Sequence, residues 1–266
     1  MAKLKVAKFS LMGLFGRWPR FDEQADKYAR GVVGVVTGST RYPGAAVLSV
    51  LGALNAGAGF VRYCGTEAAR GAVLTRTPSV TFGWGKVDAV VAGCGWDDEA
   101  GNHALWDQVL KVGAPVVVDA GALSLAVDGV PAGSLLTPHA GELARLLGVE
   151  RTVVEADPAG CALQGAQLFG ATVLLKGHDQ FVATPEGVVT KVFEGSSWLA
   201  RAGSGDVLAG MAATLLAQTG DPELAGLLAA GMQAYLSTQK LGPYPPDRLA
   251  EMLPEKIGEM VPWGAI

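Results

Sequence analysis

Four ionisable residues stand in this chain where an apolar run meets a glycine-rich or turn-forming segment: Asp119, His139, Lys176 and Asp206. Asp206 lies in "AGSGDVLAGMAATLL", with Gly203 and Gly205 on either side of Ser204 and a helix-spaced apolar run beyond. Amides from Ala202 to Asp206 could form a nest that accepts an anion such as a transferring phosphoryl group. A carboxylate beside that nest can take the proton of an attacking hydroxyl. The plain alternative is a turn with Asp206 as a favourable helix-start charge. Glycine on both flanks, which lets backbone approach a ligand closely, favours the chemical reading.

The other three are more open. In "LLKGHDQ", Lys176 can reach a polyphosphate from a strand end or simply extend its ammonium into water. In "LLTPHAGE", His139 can bond a substrate amide or phosphate; alternatively Thr137 and Glu142 start a helix and leave it exposed. Asp119, ending "VVVD", can hold magnesium through water, orient a neighbour or cap the next turn.

Something must bring these residues together. "GVVGVVTG", "GFVRYCG", "VDAVVAGCG", "APVVVDAG", "SLLTPH" and "TVLLKGH" are short apolar runs ending in glycine or polar residues. Runs without alternation mean strands covered on both faces. Helical patterns at Ala45–Ala56 and "AGELARLLG" lie between them, so the fold is α/β, with a mainly parallel sheet and helices on both faces. "QFVATPEGVVTKVFEG" predicts an antiparallel hairpin about Pro-Glu-Gly. Ligands of such sheets gather beyond the carboxyl ends of the strands. All four candidates would then share one rim.

Composition excludes several classes. Of 266 residues, 50% are hydrophobic and 17% charged, enough apolar content for a large core. A net charge of -4 argues against nucleic acid as a partner. Three widely separated cysteines predict neither a disulfide framework nor a zinc site and fit a reducing cytoplasm. The apolar stretch Gly205–Met232 is interrupted by "TGDPE", which predicts two buried helices and no membrane span. One domain over residues 1–266 is expected, with 1–30 as an N-terminal extension. "TGSTRYPGAA" has neither G-x-G-x-x-G nor the Gly-Lys-Ser/Thr ending of a P-loop.

Taken together, "GSTRYPGAAVLSVLGALNAGAGFVRY", "VVVDAGAL", "LLTPHAGELARLLG", "LLKGHDQFVATPEG" and "AGSGDVLAGMAATLLAQ" resemble, in order, the ADP-dependent (S)-NAD(P)H-hydrate dehydratases of the ribokinase-like superfamily. The resemblance runs from Gly31 to about Gln218 and is specific only as a combination. It implies a ribokinase-like fold; some members carry a preceding epimerase domain, and none is expected here. Ala45, Gly95, His139 and Asp206 are implied to contact the hydrated nicotinamide nucleotide, with Asp206 catalytic. Lys176, Gly177, His178, Asp179, Gln180 and Gly205 are implied to hold the adenine nucleotide. ADP (or ATP) as co-substrate, Mg²⁺ without assigned protein ligands, and a cytoplasmic homo-oligomer, taken as a tetramer, are also implied. The chain departs from the usual pattern at Cys94, Ser196, Ser197, Arg201 and Ala202.

The chemistry is consistent with that apparatus. The substrate carries a hydroxyl at carbon six of a reduced nicotinamide ring, and hydroxide leaves poorly. Phosphorylating that oxygen makes phosphate the leaving group, and the ring nitrogen lone pair can expel it. Two alternatives are a vitamin-precursor kinase of the same fold and a catalytically silent nucleotide-binding protein.

Overall fold

The apolar runs become one sheet. The computed structural model describes residues 6–8, 10–97, 99–239 and 241–261. Its strands are β1 (Val6–Lys8), β2 (Val32–Val36), β3 (Phe60–Tyr63), β4 (Thr81–Phe82) and β5 (Ala89–Ala92), then β6 (Val116–Val118), β7 (Leu135–Leu136), β8 (Thr172–Leu175), β9 (Phe181–Ala183) and β10 (Val189–Lys191). They lie in the order β1-β10-β9-β8-β7-β6-β5-β2-β3-β4. The pairings of β9 with β8 and β10 are antiparallel, and the other described pairings are parallel. The expected hairpin is therefore β9–β10, closed where the Thr184 N–H donates to the Val188 carbonyl.

Helices cover both faces: α1 (Leu11–Phe15), α2 (Pro43–Asn55), α3 (Glu67–Arg76), α4 (Glu99–Val112), α5 (Ala140–Leu147), α6 (Arg151–Ala156), α7 (Pro158–Phe169), α8 (Ser204–Thr219), α9 (Pro222–Gln239) and α10 (Pro246–Met260). All of β2 is buried. Its residues alternate between two cores, as a pleated strand dictates. Val33 and Val35 pack with residues of α2, α8 and α9; Val32 and Val36 pack with residues of α4, α5 and α7.

The segment before β2 is built into this plan. β1 adds a parallel strand beside β10. Phe15 is fully buried, its ring 5.8 Å from that of Tyr235 on α9.

The predicted break at "TGDPE" separates α8 from α9. Gly220 ends α8 in the left-handed conformation, and the Asp221 carboxylate accepts the Leu224 N–H at 3.0 Å to begin α9. No helix among the described residues is long and apolar enough to cross a membrane.

Glycine sets the approach of α2 to α8. A Cβ on Gly52 would lie 2.2 Å from the Val207 carbonyl oxygen, and one on Gly210 would lie 2.0 Å from that of Ser49. The two backbones therefore touch directly. Thr214 Oγ1 completes the seam by donating to the Ala53 carbonyl at 2.9 Å. The seam fixes the start of α8, which carries Asp206, relative to the start of α2, which carries Ala45.

Candidate active site

The site is built where parallel strands end. Leaving β5 the chain enters Gly93–Cys94–Gly95; leaving β6 it reaches Asp119, leaving β7 it reaches Thr137 and His139, and leaving β8 it reaches Lys176. Lys176 continues the register beside His139, its N–H donating to the Pro138 carbonyl at 2.8 Å. Because β9 runs backwards, residues 176–180 cross this same rim before the hairpin begins. Asp119, His139, Lys176 and the start of α8 thus share one end of the sheet.

Asp119 is the buried anchor, 2% exposed. Its Oδ1 accepts from Thr137 Oγ1 at 2.8 Å and from Lys176 Nζ, while its Oδ2 faces Cys94 Sγ at 3.4 Å. The capping alternative for this residue is not realised, since Asp119 makes no side-chain bond to the turn that follows. Ala120, the next residue, has φ +45°, a left-handed conformation uncommon for a residue with a Cβ. That turn carries the chain away from the rim and leaves the carboxylate behind.

Lys176 is held charged. Burial works against its ammonium, but the carboxylates of Asp119 and Glu142 outweigh that and raise its pKa. A Cβ placed on Gly205 would lie 3.3 Å from Lys176 Nζ, so glycine keeps open the gap between the ammonium and the helix start.

Asp206 is the third residue of α8 and is partly buried. Burial first, then the neighbouring Asp119 carboxylate, pushes its pKa up to about 6; Lys176 and the Cys94 thiol restrain the rise. The ordinary carboxylate value is therefore not the relevant one, although the group still ionises at neutral pH. One amide of the Ala202–Asp206 nest is already engaged. The Ser204 N–H is taken by the Arg201 carbonyl at 3.2 Å, and the Val207 N–H by that of Gly203. Among the described residues none accepts from the amides of Gly205 or Asp206, which stay free for an anion.

His139 caps α5. Its Nδ1 accepts from the Gly141 N–H at 3.0 Å and the Glu142 N–H at 3.2 Å, and Glu142 returns the bond to the His139 N–H at 2.8 Å. Thr137, read as a helix starter, turns inward to Asp119 instead, because the buried carboxylate is the stronger acceptor. The His139 ring remains 56% exposed at the rim, with Nε2 3.5 Å from Glu142 Oε1. Ala45 and Gly95 are neighbours: a Cβ on Gly95 would lie 2.5 Å from that of Ala45.

Beside this cluster a cleft of about 370 Å³ lies between Gly177, His178 and Gln180 on one side and Gly195, Ser196, Ser197, Leu199 and Ala200 on the other. Its size suits a small ligand. Asp179 points out of the lining and pairs with Lys191 Nζ at 2.9 Å. Gln233, from the middle of α9, closes the cleft and donates to the Ser204 carbonyl at 2.7 Å. Nothing local in the sequence marks Gln233, since a helical glutamine in an apolar stretch has many ordinary roles. Arg201 is turned away from the cluster and donates to the Pro243 carbonyl. Ser196 accepts from the Trp198 N–H and begins a short turn on the cleft wall.

This geometry has counterparts. The profile of the NAD(P)H-hydrate dehydratase family matches residues 33–262. A bifunctional NAD(P)H-hydrate repair enzyme from Mycobacterium tuberculosis is 44% identical over 229 residues, covering 82% of this chain and 47% of that protein. The chain thus spans about half the length of that relative. An ADP-dependent (S)-NAD(P)H-hydrate dehydratase from Xanthomonas campestris is 36% identical over 225 residues, covering 76% of this chain and 78% of that one. In structure, an ADP/ATP-dependent NAD(P)H-hydrate dehydratase from Bacillus subtilis, co-crystallised with ATP and Mg²⁺, superposes with a TM-score of 0.89 at 26% identity. The match covers 97% of this chain and 100% of that one. With its sheet order, its rim of strand-end polar residues and these relatives, the chain belongs to the NAD(P)H-hydrate dehydratase family of the ribokinase-like superfamily.

Proposed function

We propose that the protein dehydrates the (S)-hydrate of NADH or NADPH at the expense of ADP or ATP, releasing phosphate with AMP or ADP and restoring the reduced dinucleotide. One observation carries the reading: a partly buried Asp206 whose carboxyl is poised near pH 6, next to two free amides and a charged lysine. Asp206 takes the proton of the ring hydroxyl as that oxygen attacks the terminal phosphorus. The amides of Gly205 and Asp206, with Lys176, face the charge that builds on the transferring phosphoryl oxygens. The ring nitrogen then expels phosphate. Ala45, Gly95 and His139 would line the substrate side, and the cleft along residues 177–180 with Gly205 would take the adenine nucleotide.

The donors that the protein gathers here are a thiol and two carboxylates, Cys94, Asp119 and Asp206. Asp119 already accepts from Thr137 and Lys176 and faces the thiol. That set does not fit an inner-shell Mg²⁺ site, which wants about six hard oxygens. Magnesium would arrive with the nucleotide, whose phosphate charge it would neutralise.

The test is incubation with enzymatically prepared hydrate and either ADP or ATP, following the return of reduced-nicotinamide absorbance and phosphate release. A stable phosphorylated alcohol without that return would indicate a kinase. Nucleotide binding without turnover would indicate a silent binder. Size-exclusion chromatography with light scattering checks the expected homo-oligomer.

A further inference from the structure

The reaction above gives Cys94 no task, yet the thiol lies among the groups that perform it. Gly93 and Gly95, with φ of +105° and +68°, fold the chain tightly on either side of Cys94. Its carbonyl accepts the Gly38 N–H at 2.7 Å. A Cβ on Gly93 would lie 1.9 Å from the Asp119 carbonyl oxygen, so the loop is pressed against the end of β6. The Cys94 side chain is fully buried, and its sulfur, one oxygen of Asp119 and one of Asp206 all lie within 4.8 Å of one another.

Two carboxylates at that separation repel strongly where water is scarce. Thr137 and Lys176 occupy Oδ1 of Asp119, leaving Oδ2 turned towards the thiol. Burial, followed by the charges of Asp119 and Asp206, raises the pKa of Cys94, so the group stays S–H at neutral pH. It is a donor between two acceptors and does not add a third negative charge.

We propose that Cys94 is a positioning residue for the dehydration: its single S–H bonds Asp119 Oδ2, which offsets that charge, spaces Asp119 from Asp206 and favours Asp206 in its ionised, proton-accepting form. The proposal rests on the reading of Asp206 as the base. The groups facing Asp206 are Asp119 from the end of β6, Lys176 from the end of β8 and Cys94 from the end of β5; Glu142 at the start of α5 acts on Lys176. From α2 the uncharged Ser49 faces Cys94.

The test reads Asp206 without relying on turnover. The difference in thermal stability between the wild type and Asp206→Asn, followed against pH, changes between 3.8 and about 6, and the upper end of that span gives the folded-state titration midpoint of Asp206, expected near 6. The same difference is measured in Cys94→Ala, which removes the donor, in Cys94→Val, which removes it but fills the space, and in Cys94→Ser, which keeps an O–H. The midpoint should rise by about half to one pH unit in the alanine and valine backgrounds, as loss of one hydrogen bond to a carboxylate predicts. It should stay near the wild-type value with serine. The acid limb of the rate profile should move the same way, with KM for the nucleotide unchanged. An unmoved midpoint in both alanine and valine backgrounds, or a serine shift as large as that of alanine, would overturn the proposal. Absence of hydrate turnover in the wild type would defeat the proposed reaction alone, because the stability titration would still decide whether Cys94 acts on Asp206.

Discussion

Two lysine–aspartate pairs flank the segment 176–180, and they behave differently. Asp119 and Lys176 have side chains 3% and 17% exposed. Asp179 and Lys191, 2.9 Å apart, are 43% and 21% exposed. In the outer pair, hydrogen bonding to Lys191 lowers the Asp179 pKa and water screens the charges. In the inner pair, burial and a second carboxylate, Asp206, turn the same residue types into a cluster that moves proton affinity on its neighbours. Pairing is common to both; enclosure is what creates the chemistry.

The strongest way to probe the inner pair is through the residue it polarises. Asp206→Asn should lower steady-state dehydration by about 10²–10⁴-fold, the usual range for loss of a general base, with little change in nucleotide affinity. Near-normal turnover would return Asp206 to the role of a helix-start charge. The same variant should be more heat-stable than the wild type above pH 7. The folded-state pKa near 6 lies above the ordinary 3.8, so the folded protein holds a proton that the unfolded chain releases. Stability is therefore lost as pH rises from 3.8 to about 6, by at most about 3 kcal/mol at roughly 1.36 kcal/mol per unit, and asparagine escapes that loss. Differential scanning calorimetry at pH 5 and pH 8 separates the two variants.

Lys176→Met leaves Asp119 buried beside Asp206 without its cation. Breaking such a pair costs about 3–5 kcal/mol, read as a fall in Tm at pH 7 that lessens at acid pH, where a carboxyl takes up a proton. A loss as small as that of a surface pair would show that the cluster is hydrated and that the comparison with Asp179–Lys191 fails. Activity has its own pH signature. The wild-type rate should fall as pH drops below about 6, where Asp206 becomes protonated.

How far the sequence foretold this site depends on the distance over which each contact acts. Asp206, Lys176, Asp119 and His139 all end apolar runs or open helices, and local pattern suffices to mark them. Parallel pairing then brings strand ends together, so their shared rim was legible too. The inward turn of Thr137 was not, because it answers to an aspartate 18 residues away. Nor was the bond from Gln233 to Ser204, 29 residues apart. The strand β1 escaped notice for the same reason: a three-residue run becomes a strand only because β10 offers it an edge. The cap that His139 provides through Nδ1 was not legible either, since the local pattern assigns the helix start to Thr137 and Glu142 and the histidine to a ligand or to solvent.

Smaller effects refine the contrast. His139→Ala removes a cap and should cost about 1 kcal/mol of stability. If the ring also meets the hydrate, calorimetric titration should show weaker hydrate binding with nucleotide binding retained; equal loss for both would leave only the cap. Asp179→Asn breaks the outer pair and should change stability by less than about 1 kcal/mol, with the effect shrinking further as salt is raised.

The direct backbone contact of α2 with α8 has a mechanical meaning. Ala45 stands at the head of one helix and Asp206 at the head of the other, and no side chain lies between Gly52 and Val207 or between Gly210 and Ser49 to be repacked. Such a joint transmits displacement and does not absorb it. The pair behaves as a single strut, keeping the proposed substrate wall and the proposed base at constant spacing whatever enters the cleft. Across from that strut, Ser197 and Ala200 stand exposed on the cleft wall. Fitting ligands of different length is therefore work for that wall, while the chemical end of the site acts as its fixed jaw.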